Sequence, residues 1–274
     1  MNVPLPLVDG PPVPALLQER TGGIAVLTLN RPEQRNSLNE AMLVGLSECL
    51  AAIAQDHTVR AVVIAANGSV FCAGHDLREL TVHRSDADGG RSYFREIMAR
   101  CSAMMQALIG LPQPTIAAIQ GTATAAGCQL VASCDLAVAS AAARFCTPGV
   151  DIGLFCSTPM VALSRNVAPK HAMEMLLTGE MISAERAERI GLINHVVRPG
   201  TERDEAVTLA RKIATKSALT VKTGKQAFYR QREMRLDEAY AYASQVMVDN
   251  MMARDAAEGI GSFIEKRTPH WEDR

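Results

Sequence analysis

Apolar residues fall along this chain in two rhythms, short aliphatic runs and longer stretches with helical spacing. Ile24 to Asn30, IAVLTLN, is aliphatic and β-branched and ends at the turn-forming Asn30-Arg31-Pro32, which predicts a strand and its exit. Ser37-Leu-Asn-Glu40 has the pattern of a capping box, and Leu38, Met42, Leu46, Leu50 and Ile53 then recur at helical spacing. A second strand is predicted over Ala61–Ala66. It runs through Asn67-Gly68 into Val70-Phe71-Cys72-Ala73-Gly74. The polar segment Thr81–Arg91, with Gly89-Gly90, reads as a flexible loop before a helix over about Tyr93–Leu108. Pro114–Ile119 predicts a third strand, followed by the small-residue run Thr122–Gly127 and a helix over Cys128–Ser133. Further strands are expected at Leu136–Val138 and Arg144–Thr147. From Glu205 to Lys266 the pattern is helical, with breaks expected near Thr223-Gly224 and Arg235. Ala239, Ala243, Val246, Met247 and Met251 form an apolar stripe there, whose default reading is core or subunit packing.

Strand and helix units that lack period-2 alternation point to an α/β fold with a buried sheet. A division is expected near residue 202, with a core over 1–202 and a helical domain over 203–274. Residues 1–20 read as an N-terminal arm, mobile or partner-contacting. No fixed-period repeat or low-complexity tract is present.

The 274 residues are 48% hydrophobic and 21% charged, which suits one large globular core with a smaller appendage. A formal net charge of −1 offers no general attraction for nucleic acid or an anionic membrane, so neither is expected as a partner, and an anionic ligand must be held locally. The seven cysteines include no C-x-x-C pair and read as buried thiols in a reducing compartment, not as a disulfide frame or a metal site. Met1–Glu19 resembles neither a signal peptide nor a mitochondrial presequence. No run approaches the roughly 18–20 apolar residues of a spanning helix, and a cytoplasmic location is expected.

Three local features have chemical potential. Phe71-Cys-Ala-Gly-His-Asp-Leu77 takes a strand through a glycine into a polar segment, and such a turn aims backbone N–H groups into a cavity. Gly121-Thr-Ala-Thr-Ala-Ala-Gly-Cys-Gln129 is a small-residue turn opening a helix, whose first N–H groups favour negative charge; a close helix-to-sheet contact would need the same residues. Phe145-Cys-Thr-Pro-Gly-Val-Asp-Ile-Gly-Leu154 carries one loop carboxylate, Asp151, a residue type that more often caps a turn than abstracts a proton.

Together, LTLNRPEQRNSLN, FCAGHDL, AAIQGTATAAGCQLVASCDLAVAS and FCTPGVDIGL resemble the enoyl-CoA hydratase/isomerase, or crotonase, superfamily. LLTGEMISAERAERIGLINHVV and SFIEKRTPHW extend the likeness from about Ile24 to Trp271. GLFCSTP and SQVMVDNMMARDAAEGI look most like its enoyl-CoA hydratase domain-containing 3 subfamily. The resemblance implies a spiral of ββα units, a C-terminal helical trimerisation domain, and a homotrimer or dimer of trimers. It implies an acyl-CoA thioester as ligand, with coenzyme A entering as part of the substrate and no permanently bound cofactor or metal. The thioester oxygen would lie between the backbone N–H groups of His75 and Ala126. Coenzyme A would run along Glu33, Gln34 and Arg35, past Ala73, Gly74, Asp76 and Leu77, with Gly127 in the second turn and Lys266 approaching from the C-terminal end.

Two departures from the family pattern matter. Hydratases of this family place glutamates where this chain has Gln129 and Gly149. An amide does not accept a proton at neutral pH and glycine offers no group at all, so two-glutamate hydration is not expected. His75 is a titratable candidate at the first turn. Ser157, beside Cys156, lies where some members carry an acid, though no paired base is evident. His195, within INHVV, reads as a strand-edge core histidine. Two functions fit: another acyl-CoA reaction, such as isomerisation, thioester hydrolysis or decarboxylation, and non-catalytic acyl-CoA binding.

Overall fold

The structure, a computed structural model, describes residues 14–274. The expected arm lies outside the described residues up to position 13. From Leu16 the chain is already strand β1 (Leu16–Thr21), antiparallel to β2 (Ile24–Leu29). Next come α1 (Glu40–Gln55), β3 (Ala61–Ala66), β4 (Val70–Cys72), α2 (Leu77–Val82), α3 (Arg91–Gly110), β5 (Thr115–Ile119), β6 (Thr122–Thr124) and α4 (Ala126–Ser133). There follow β7 (Leu136–Ser140), β8 (Arg144–Cys146), α5 (Ser157–Leu163), α6 (Pro169–Thr178), β9 (Ile182–Ser183), α7 (Ala184–Arg189) and β10 (His195–Val197). Four helices close the chain: α8 (Glu202–Ala214), α9 (Ala218–Gln231), α10 (Leu236–Met251) and α11 (Arg254–Glu265).

Each unit contributes one strand to each of two sheets. The six-stranded sheet has the order β1-β2-β3-β5-β7-β10 and the four-stranded sheet the order β4-β6-β8-β9. The pairs β3/β4, β5/β6 and β7/β8 therefore climb as successive ββ turns, each followed by helix. Parallel registers such as Ile24↔Ala61 through Leu29↔Ala66 hold the spiral together.

The absence of alternation in β2 has a direct cause, because both of its faces are covered. Ala25, Leu27 and Leu29 face the main core with Leu43, Leu46 and Leu50 of α1, while Ile24 and Val26 face Ala206 and Ala210 of α8. The helix α8 thus packs on the outer face of the sheet, although it begins at the expected 202 boundary.

Local chemistry moves several predicted features. The N-cap of α1 is Asn39, whose side chain accepts from Met42 N at 3.0 Å; the Ser37 hydroxyl donates instead to Asp76 Oδ2 at 3.0 Å. Part of the expected Thr81–Arg91 loop is ordered as the end of α2 and a short 3₁₀ turn over His83–Ser85. Thr223-Gly224 does not break α9, because Gly224 sits inside a helix already nucleated by the Ser217 cap and held by Lys225; the breaks fall at 215–217, 232–235 and 252–253. His195 is exposed, not core, because β10 is the last strand of its sheet and pairs with β7 alone. All seven cysteines are free thiols, with Cys49 partly buried and the others buried.

A polar latch ties α9 to the core. Asp135 accepts from Lys225 Nζ at 2.7 Å, Tyr229 Oη at 2.8 Å, Thr115 N at 2.7 Å and Thr115 Oγ1 at 2.9 Å. Lys225 also donates to the carbonyls of Leu108 and Gln113 at 3.2 and 3.0 Å, so a charge with a 7% exposed side chain is fully surrounded by acceptors.

Candidate active site

The site begins with two adjoining turns. Gly74 leaves β4 at φ +87°, a conformation that L side chains rarely adopt. A methyl group added there would lie 3.0 Å from Ala125 Cβ and 3.2 Å from Ala126 N, so the turn after β4 abuts the start of α4. Thr124 Oγ1 donates to Ala73 O at 2.9 Å and fixes the approach. Gly127 presses against the carbonyl of Cys72, leaving no room for a side chain. Ala125, the N-cap of α4, is forced to φ 49°, ψ −118°, while its N–H donates to Cys146 O at 3.0 Å. Ala126 is the first helical residue and has no partner within the helix, and the His75 N–H has no hydrogen-bond partner among the described residues. Two backbone donors on adjacent turns are thereby without partners among the described residues.

The His75 side chain is mostly buried, and neither ring nitrogen has a hydrogen-bond partner of acceptable geometry. Burial holds its pKa below the ordinary histidine value and favours the neutral imidazole, an effect partly offset by the nearby Leu38 backbone. Gln129 lies one turn beyond Ala126 on α4, is 5% exposed, and has a buried Oε1 without a partner. It lines a cavity of about 530 Å³ walled also by Met105, Val161, Ala162, Tyr229 and Arg232. Gly149 is buried in the 3₁₀ turn Pro148–Ile152, where a Cβ would fall 2.7 Å from Leu154 O and 3.0 Å from Cys156 Sγ. Burial raises the thiols here, Cys72 to about 12 and Cys156 also upward, so they are weak nucleophiles. Ser157 opens α5, exposed, with its hydroxyl directed to Phe155 O at 3.3 Å and no base beside it. Asp151 is exposed in the same turn.

The other predicted positions divide. Glu33, Gln34 and Arg35 form an exposed 3₁₀ turn, and Arg35 O accepts from Ala73 N at 3.0 Å, which joins the first segment to the Ala73–Leu77 turn. Leu77 is exposed beside it. Asp76, by contrast, is committed to structure: it caps α2 and accepts from Ser37 and Arg31, interactions that keep its carboxyl below the usual range despite burial acting the other way. Lys266 is exposed at the end of α11, which it closes in the left-handed conformation.

Sequence reasoning missed Asn36, which is buried at φ 51° and donates to Asn67 O and Val70 O, both at 2.8 Å, while accepting from Arg31 N. The only sequence signal was an asparagine in a turn, a residue that tolerates the left-handed region. The cavity residues of α5 and α9 carried no such signal.

Residues 19–274 match the enoyl-CoA hydratase/isomerase family. The chain belongs to that family. Among its relatives, the rat protein named enoyl-CoA hydratase domain-containing protein 3, mitochondrial, is 48% identical over 91% of this chain and 81% of its own length. A solved enoyl-CoA hydratase of Mycobacterium smegmatis superposes with a TM-score of 0.90 at 51% identity, covering 94% of this chain and 99% of that one. Human enoyl-CoA hydratase domain-containing protein 3 gives 0.89 at 46% identity over 94% and 100%. The family member therefore falls in the domain-containing 3 subfamily and has the crotonase fold.

These relatives correct one expectation. The rat protein and those of Xenopus laevis, Mus musculus and Homo sapiens are named mitochondrial, against the cytoplasmic location read from the sequence. Buried free thiols fit any reducing compartment, and targeting is read by receptors from address segments, not from the folded domain.

Proposed function

We propose that this chain binds an acyl-CoA thioester and polarises its carbonyl between the N–H groups of His75 and Ala126. The observation that carries the reading is their juxtaposition, with Gly74 packed against Ala125 and the N–H of Ala126. Charge developing on the thioester oxygen as an α-proton leaves, or as a nucleophile adds, would meet two fixed donors. In comparable sites one such donor contributes about 2.7–4 kcal/mol. A backbone donor is indifferent to its own side chain, so the histidine does not impair it. Exposed Arg35, joined through its carbonyl to Ala73, suits a coenzyme A phosphate.

Two-glutamate hydration is not part of the reading. Gln129 orients but does not take a proton, and the turn around Gly149 is closed by Leu154 and Cys156. Each absent acid/base group is worth about 10²–10⁴ in rate. The chemistry left to this site is stabilisation of an enolate-like oxygen, with the neutral imidazole of His75 as the titratable group beside it. Self-association through the exposed apolar faces of α10 and α11 belongs to the same reading, with a trimer as the assembly.

Calorimetry with a panel of acyl-CoA esters tests the reading. Micromolar binding of at least one ester, together with crotonyl-CoA hydration far below enzymic rates, is expected. Gly74→Ala, which forces the two turns apart, should weaken binding at least ten-fold. No binding anywhere in the panel would refute the proposal. Mass spectrometry of the incubated panel then separates turnover from simple binding.

A further inference from the structure

The cavity beyond Gln129 is not uniformly apolar. Its inner wall is built from Met105, Ala132 and Ala162, but its rim, where α5 meets the end of α9, has two guanidiniums and one carboxylate. Glu233 is committed to Arg165, 3.3 Å from its Nε. Arg232 is paired with no carboxylate among the described residues. One of its amino groups donates to the carbonyl of Arg165, and its guanidinium lies 5.6 Å from the Phe228 ring centroid, which limits its freedom. The rim thus presents one net positive charge, held in place and with donors to spare.

That arrangement suits a particular chain end. In the acyl-CoA reading, methylene groups leaving the thioester would pass Gln129, which shares α4 with Ala126 and is the residue that links the two turns to this cavity, and would lie against the inner wall, where burial favours them. A terminal methyl reaching the rim would strip water from Arg232 and return no hydrogen bond. A terminal carboxylate would accept from the guanidinium in the planar, two-point geometry that arginine favours.

We propose that the acyl group selected here ends in a carboxylate, so that the ligand class is an ω-carboxyacyl-CoA and Arg232 determines that specificity. The proposal rests on the acyl-CoA reading above. Its test is calorimetric titration with adipyl-CoA and suberyl-CoA beside hexanoyl-CoA and octanoyl-CoA, their equals in carbon number, for the unaltered chain and for Arg232→Met and Arg232→Lys. The unaltered chain should bind each ω-carboxy ester about ten-fold or more tightly than its plain partner. Arg232→Met should bring the ratio to within two-fold, by weakening the ω-carboxy esters and relieving the penalty on the plain ones, and Arg232→Lys should keep part of it. Arg232 is exposed at the end of α9, so an unchanged melting temperature is expected for both variants. Plain esters binding as well as ω-carboxy esters, or a preference that survives Arg232→Met, would overturn this inference and leave the acyl-CoA reading intact. Failure of all four esters to bind would overturn this inference, and failure across the whole acyl-CoA panel the acyl-CoA reading as well.

Discussion

Ala125 is the most strained residue of the site. A non-glycine residue at φ 49°, ψ −118° costs about 1–3 kcal/mol, and here the cost is imposed by packing Gly74 and Cys146 on either side of the turn. Ala125→Gly should raise stability by about 1 kcal/mol in urea denaturation, since the strain released exceeds the roughly 0.4–1 kcal/mol of added unfolded-state freedom. The opposite change at Gly149 has no such latitude: Gly149→Ala should cost about 1–3 kcal/mol by overpacking against Leu154 and Cys156, read in the same assay. His75 links residue chemistry to pH. Because burial lowers its folded-state pKa, the unfolded chain takes up the proton first as pH falls through about 6.5. The contribution is intact above that pH and is lost as pH falls toward the folded value. His75→Gln should therefore flatten the decline of melting temperature between about pH 7 and 5 while leaving acyl-CoA binding in place, because the backbone donor remains. That His75 and Ala126 would be neighbours was legible in their motifs only through the family likeness. The reason for it, a glycine with positive φ pressed against a helix start, was not.

At the scale of elements, α9 depends on Asp135. This carboxylate terminates interactions from Lys225, Tyr229 and Thr115, and removing it would leave a buried ammonium without its counter-charge. Asp135→Asn should destabilise the protein by about 3–5 kcal/mol, whereas Lys225→Met should cost less, since Asp135 keeps three donors. Paired denaturation curves check the order. Because Tyr229 lines the cavity, Asp135→Asn should also weaken acyl-CoA binding. The helices themselves were readable from spacing, as α1 illustrates with Met42, Leu46, Leu50 and Ile53 all buried. Its cap was not, because Ser37 and Asn39 are both competent caps and only the distant Asp76 decides which is free to serve. Likewise β1, β6 and β9 escaped detection; two are of two or three residues, and short strands are stabilised by neighbours rather than by their own pattern.

The whole molecule presents an unbalanced surface. Apart from the enclosed Lys225 side chain, α9 and α10 are at most half-buried, yet large apolar side chains crowd the outer faces of the C-terminal helices, with Met252 and Phe263 each 82% exposed. A patch of this kind marks an interface more often than open surface. If these faces meet in a trimer, the double substitution Met252→Asp with Phe263→Asp should yield a monomer in sedimentation velocity, while unaltered protein sediments as a trimer or its multiple. The stripe Ala239, Ala243, Val246, Met247 and Met251 was visible as a helical period, but whether it lay in a core or toward another chain depended on where the core ended.

The sequence by itself determined the class of fold, the order of the ββα units, the family, and that Gln129 and Gly149 offer an amide and a hydrogen and no carboxylate. Those follow from local propensity, apolar period and the identities of residues at fixed spacing. Only the tertiary structure decided that Asp76 is spent on a cap, that Gly149 has no room for a side chain, that His75 is buried without partners, and that α9 brings Tyr229 and Arg232 to the cavity that Gln129 opens into. Each of these depends on contacts between segments tens of residues apart, and a period along one segment has no knowledge of what will be packed against it.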